Sequence, residues 1–158
     1  CKVRKVNAVL QHRDQPFMLA NLDREVVGHD DGPGILECKT CGAFAAKAWA
    51  EGVPEWYQIQ VLHQLAVTGR AWADVAVLIA GQAFQIQRIE RDDELIDQLI
   101  ELERQFWGLV ESDTPPSTDG SESSRQALNR LYARDDGLVV DYRDDPSLNA
   151  VFANLIEA

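Results

Sequence analysis

The sequence predicts an α/β fold in which a small mixed central β-sheet is flanked by helices. Three observations carry this expectation. Four short stretches are apolar or alternating and are bounded by Gly, Pro and Asp turn chemistry, which is the signature of strands. Longer stretches repeat apolar residues every three or four positions, as amphipathic helices do. The segment order is helix, strand, strand, helix, helix, strand, strand, helix, which is not a simple βαβ alternation. With 158 residues and 46% hydrophobic content, the chain has material for about one domain with a real core.

Residues 2–12 place Val3, Val6, Ala8, Val9 and Leu10 at spacings that suit an amphipathic helix, with a basic edge from Lys2, Arg4 and Lys5. This segment is expected to be the tail of a longer helix. Pro16 blocks helix continuation, and residues 17–27 are rich in apolar and β-branched side chains, so they read as a strand. Gly28 and the Asp30-Asp31-Gly32-Pro33 cluster supply a turn into a second, bounded strand over 34–40. The alanine-rich segment 43–50 suits a helix. Gly52-Val53-Pro54 interrupts it. Pro54 fits the first turn of a helix over 55–68, and Gly69 can close that helix in the left-handed conformation.

Residues 72–80 form a nearly continuous apolar run with Val75, Val77 and Ile79, the pattern of a strand covered on both faces. Gly81 turns the chain into 82–89, an antiparallel partner with a less buried end. From Asp92 the residues Leu95, Ile96, Leu99, Ile100, Leu102, Phe106, Leu109 and Val110 recur at helical steps between acids, the clearest long helix in the chain. Residues 114–124, with Pro115-Pro116 and Asp119-Gly120, read as an exposed connection. Terminal helices are expected over 126–133 and 147–156, within a helical C-terminal extension spanning 125–158. No internal repeat is present.

Composition removes several function classes. The longest apolar stretch, 75–80, is far short of the roughly 18 residues of a membrane span, and no basic-then-apolar leader opens the chain. Neither a membrane nor export is expected. Cys1, Cys38 and Cys41 are too few for a disulfide framework, which fits a reducing cytoplasm. Net charge is −11, unevenly spread: residues 1–50 hold seven basic and six acidic residues, whereas 51–158 hold eight and twenty. Such a balance argues against coating nucleic acid by diffuse attraction.

The chemistry-bearing pattern lies on the first two strands after Pro16. Side chains alternate across a strand, so Glu37 and Lys39 project on one face while Leu36 and Cys38 point the other way. If the two strands are neighbours through the 30–33 turn, Asp23 approaches the same spot. Two hard oxygen donors then suit Mg²⁺, with Mn²⁺ as the substitute, and Lys39 stands ready to orient a water or balance charge growing on a phosphate. Glu-x-Lys alone is a short pattern, and on most strands it is only a surface ion pair.

Longer blocks surround it. "PFMLANLDREVVG" at 16–28, "GILECKT" at 34–40, "VPEWYQIQVLHQLAVTGRAWADVAVLIAG" at 53–81, and "RDDELIDQLIELERQFW" at 91–107 with the following "DTPPSTDGSES" resemble the YqaJ-type phage recombinases. These are alkaline exonucleases related to lambda exonuclease, within the PD-(D/E)xK nuclease superfamily. The resemblance, running over 12–124, implies a restriction-endonuclease-like core and a Mg²⁺-dependent exonuclease acting 5′→3′ on ends of double-stranded DNA. It implies phage or prophage origin, a strand-annealing protein as partner, and a homo-oligomer, the trimeric ring that surrounds DNA. It further implies that Asp23 and Glu37 are metal ligands with the Cys38 carbonyl as a third. Lys39 would be the catalytic lysine, and Tyr57 and Gln60 would stand beside the metal site. Spacing alone places Tyr57, Gln60 and Gln64 on one helical face. Relatives carry a further acid and a basic 5′-phosphate pocket before the first strand. No acid precedes Asp14 here, so both are expected upstream of Cys1, with the whole of 1–158 a single nuclease domain lacking its N-terminal helical part.

Other signals point elsewhere. Cys38-x-x-Cys41 lacks the second close pair of donors that structural zinc needs, and a buried or half-buried pair of thiols is preferred over zinc or redox chemistry. His63 reads as packed or solvated. Trp72 and Trp107 are expected in the core, while Trp49 and Trp56 flank the cleft with either role open. The Asp92-Asp93-Glu94 run is a charge-favoured first helical turn. A catalytically silent DNA-binding or assembly protein, or an endonuclease, on the same fold are the competing functions.

Overall fold

The computed structural model describes residues 1–133, 137 and 144–157. Two compact units divide the chain, Cys1–Pro115 and Pro116–Ala158.

The first unit is built on a five-stranded mixed sheet. Its strands are β1 (Lys2–Arg4), β4 (Arg24–Val27), β5 (Gly34–Cys41), β6 (Trp72–Ile79) and β7 (Ala83–Glu90), hydrogen-bonded in that order. Only the β5–β6 pair is parallel, and the crossover between these strands carries a 3₁₀ helix (Ala43–Trp49) and α1 (Glu55–Thr68). A small ribbon of β2 (Leu10–Gln11) and β3 (Leu19–Ala20) packs beside α1, and α2 (Asp93–Glu111) follows β7. This is the mixed sheet with flanking helices that the sequence predicts.

The parallel pair sits at the centre because its side chains can be buried. Ile35 on β5 and Ala73, Val75, Val77 and Ile79 on β6 face α1, which answers with Val61, Leu62 and Leu65. Met18, Leu22 and Ile96 close the ends of this core. Gly69 ends α1 in the expected left-handed conformation (φ 67°), its N–H bonding the Leu65 carbonyl. The opposite sheet face is anchored by Trp72, whose indole lies so close to Gly34 that a Cβ there would sit 2.4 Å from ring carbons. Only glycine fits at that point. The Arg88 guanidinium covers the other side of the ring at 3.9 Å.

Three expectations are corrected. Residues 2–12 are not a helix: Lys2–Arg4 is an edge strand antiparallel to β4, and Leu10–Gln11 pairs with β3. Alternation explains this better than helical spacing, because Arg4 reaches Glu25 across the strand pair while Val3 faces away. Val6 and Leu10 do pack on the core, but from extended chain. The strand over 17–27 is broken at 21–23 into β3 and β4. The third correction concerns Trp107 on α2, a helix found where expected and N-capped by Asp92, which accepts from the Leu95 N–H. Of the helix's apolar stripe only Ile96 is buried, and Leu95, Leu102, Phe106 and Val110 stay exposed. Trp107, expected in the core, is 39% exposed and stacks on Phe17.

The second unit contains α3 (Glu122–Leu131) and α4 (Pro146–Glu157). Helix α3 begins four residues earlier than periodicity suggests because Ser121 caps it, accepting from the Ser124 N–H. Residues 134–136, 138–143 and 158 of the expected C-terminal extension lie outside the described residues.

Glu25, buried on β4, is clamped by Arg4 and by Arg70, which also donates to the Gly34 carbonyl. Hydrogen bonds from the two guanidinium groups hold its carboxyl below the usual glutamate range. A depressed carboxyl contributes stability above its unfolded pKa and loses it as pH falls through the folded one. Glu25→Gln is therefore expected to cost about 1–3 kcal/mol at pH 7. The difference from wild type in urea denaturation should shrink as the pH drops below 4.

Candidate active site

The site forms where β5 passes beneath α1. Strand alternation puts Glu37 and Lys39 under the helix with Ile35, and α1 presents Tyr57, Gln60 and Gln64 over them from successive turns. Glu37 is only 4% exposed. A carboxylate buried this deeply needs hydrogen-bond donors, and both of its oxygens have them. Its Oε1 accepts from Lys39 Nζ at 2.7 Å and from Gln60 Nε2 at 2.9 Å, and its Oε2 accepts from Gln64 Nε2 at 3.0 Å. Gln60 Oε1 in turn accepts from Lys39 Nζ at 2.8 Å, closing a three-membered ring of bonds. The Tyr57 ring braces the ammonium from one side, 4.6 Å from Nζ to the ring centre.

Asp23 joins this group through the backbone. Its Oδ2 accepts from the Cys38 N–H at 2.9 Å, which fixes the carboxylate at the residue between Glu37 and Lys39. The break between β3 and β4 makes this possible, since it leaves Asp23 just before the first paired residue, Arg24, opposite Leu36. Unlike Glu37, Asp23 is exposed, so the site opens to solvent on its side.

All five sequence-predicted side chains, Asp23, Glu37, Lys39, Tyr57 and Gln60, thus lie in one neighbourhood. Cys38 contributes its backbone only. Its side chain points to the far sheet face, where desolvation and the negative charge of Asp23 push the thiol pKa up. Cys41, three residues along the same strand, faces the α1 side, so the pair cannot converge on one ion or one disulfide. Among the described residues, no three His, Cys, Asp or Glu side chains gather as a metal cluster. The donors on offer are instead the Asp23 and Glu37 carboxylates and the Cys38 carbonyl. These are hard oxygens that fit Mg²⁺ or Mn²⁺ and suit zinc poorly.

Gln64 is the residue that sequence reasoning left out, although its i, i+4 relation to Gln60 was the available signal. It is 3% exposed and donates to both Glu37 and the Asn21 carbonyl, linking the carboxylate to the segment that carries Asp23. His63 holds the frame: its ring nitrogens lie 2.7 Å from Glu103 on α2 and 3.0 Å from the Leu19 carbonyl on β3. Asp92, Asp93 and Glu94 stay at the start of α2, as expected.

Comparison with known proteins bears on the fold and on what the chain resembles. Residues 1–71 match the YqaJ-like viral recombinase domain family. The uncharacterized protein YqaJ of Bacillus subtilis (strain 168) is 44% identical over 136 residues, covering 84% of this chain and 42% of that protein. The chain is thus similar to the YqaJ-like viral recombinase domain over its first 71 residues. The alkaline exonuclease LHK-Exo from Laribacter hongkongensis superposes with a TM-score of 0.61 at 24% identity, over 84% of this chain and 63% of the exonuclease. The same enzyme in complex with dAMP matches equally well, at 25% identity. The chain therefore shares the fold of that exonuclease, a restriction-endonuclease-like core. It spans about two fifths of the Bacillus protein's length and under two thirds of the exonuclease's.

Gln64→Leu keeps the side-chain volume and deletes both donated bonds. It is expected to lower stability by about 1–3 kcal/mol, because Glu37 Oε2 and the Asn21 carbonyl lose a buried donor. Urea denaturation of the variant against wild type measures this.

Proposed function

We propose that this chain is the catalytic core of a divalent-metal-dependent deoxyribonuclease that hydrolyses phosphodiester bonds from the ends of double-stranded DNA. The observation that carries the reading is the convergence of a buried glutamate, a lysine bonded to it, and an aspartate tied to the backbone between them. Likeness to an exonuclease fold and to the viral recombinase domain supports it.

Asp23, Glu37 and the Cys38 carbonyl would hold the ion, Mg²⁺ or Mn²⁺. When bound, it would supply Lewis acidity toward the phosphate oxygens. The remaining work falls to the chain's own side chains. Lys39 carries a positive charge beside the carboxylates, where it can orient the attacking water and neutralise charge that develops on the phosphate. Gln60 fixes that ammonium by bonding both Lys39 and Glu37, so little reorganisation is left for the moment of reaction. Tyr57 limits the lysine to one approach. Gln64 keeps the second oxygen of Glu37 from rotating away.

The same reading assigns 5′→3′ polarity and a role in recombination by strand annealing, with an annealing protein as partner and a homotrimer as the working assembly. It places the protein in the cytoplasm of a phage- or prophage-bearing bacterium. Residues 1–158 constitute a nuclease domain whose catalytic part is Cys1–Pro115. Among the described residues, no helix is long and apolar enough to cross a membrane.

Linear and circular duplexes digested in parallel with Mg²⁺ test the assignment. End-dependent loss of the linear form is expected, and Lys39→Ala should reduce it by at least about 100-fold while circular dichroism stays unchanged. Cleavage of circles would instead indicate an endonuclease. Full activity in the lysine variant would reject the mechanism.

A further inference from the structure

An open cleft of about 490 Å³ lies between α1 and the β2–β3 ribbon. We propose that this cleft is a nucleobase slot, in which the indole of Trp56 stacks on the base of the nucleotide whose phosphate lies at Glu37 and Lys39. The inference rests on the nuclease reading and adds to it the place where the base is held.

The four tryptophans differ in a way that isolates this one. Trp49 and Trp72 are 2% and 1% exposed, and Trp107 lies parallel to Phe17. Trp56 is 60% exposed, and its ring contact is a tilted one with Tyr57, at 5.8 Å and 58°, which leaves an indole face without a stacked partner. Beside it in the cleft stand Ile59 and, from the ribbon, Leu19, which are 48% and 51% exposed. Three large apolar side chains around a slot with a polar floor suit a flat aromatic ring.

Charge decides which part of a nucleotide enters. Glu103 lines the cleft, and the nearby His63 is already bonded to it. Among the described residues no Lys or Arg lines it, so the polyanionic backbone is disfavoured and the uncharged base is not. Continuity with the catalytic group comes through Gln60, which lines the cleft and also bonds Lys39 and Glu37. A base in the slot therefore leaves its own phosphate beside the lysine. The floor also carries an unmet demand: Gln64 Oε1 is buried without a hydrogen-bond partner, and its amide cannot be turned round because both groups that Nε2 serves are acceptors.

Base–indole stacking should be visible as an affinity loss of about 5- to 150-fold on truncation. Fluorescence anisotropy of an end-labelled duplex, measured in EDTA with the full chain, compares wild type, Trp56→Ala and Trp56→Phe on normal ends and on ends carrying an abasic terminal nucleotide. Trp56→Ala is expected to weaken binding to normal ends within that range, with Trp56→Phe restoring most of it. Removing the terminal base should weaken wild type but not Trp56→Ala. Equal affinity of wild type and Trp56→Ala, or an abasic penalty of the same size in both, would overturn the slot. Cleavage of the same duplexes in Mg²⁺ separates the two readings. Active wild type with an unaffected Trp56→Ala removes the slot alone, whereas Trp56-dependent binding without any cleavage keeps the slot and removes the nuclease.

Discussion

A carboxylate under a helix, with almost no access to water, is costly unless both of its oxygens find donors. Glu37 is that group, and much of the site's arrangement follows from supplying its donors. Lys39 must return along the same strand face, and α1 must present two glutamines one turn apart. The helix must also lie close enough for carboxamides to reach. Replacing the whole polar cluster by well-packed apolar side chains would be expected to cost little or nothing in stability. A buried glutamate held by two amides and an ammonium makes sense as a preorganised charge, ready for a cation that would share it.

The rest of the first unit positions that charge. The parallel β5–β6 pair gives the rigid floor, and the long crossover places α1 directly above it. Breaking the ribbon at 21–23 brings Asp23 to the Cys38 N–H from the exposed side. One carboxylate is thus fixed in the interior and the other at the surface, so the proposed site is reachable from solvent on the Asp23 side. His63 and Glu103 tie α1 to α2 and to the ribbon, so the walls of the cleft are bonded to the element that carries Gln60.

Much of this was legible before any coordinates. The bounds of α1 were readable because Pro54 and Gly69 punctuate it, and the alternation of Leu36, Glu37, Cys38 and Lys39 already separated acid and amine from the thiol. Strand adjacency already pointed to Asp23 and helical spacing grouped Tyr57 with Gln60, while the longer blocks suggested a role for that face. What escaped was whatever depended on partners distant in sequence. Val3, Val6 and Leu10 fit a helical period, yet the pairing of Arg4 with Glu25 made the segment extended. Gln64 looked like one more polar residue on a helix, and only the depth of Glu37 gave it a task. The stripe on α2 is amphipathic by count, but only Ile96 is buried, with Leu99 and Ile100 packed at the edge of the core.

The central claim is that Asp23 and Glu37 act together on one divalent ion, and calorimetric titration with Mn²⁺ tests it most directly. Wild type should take up the ion with a measurable heat. Asp23→Asn and Glu37→Gln should each abolish that uptake while near-ultraviolet circular dichroism stays native. Undiminished Mn²⁺ binding by both variants would contradict the account.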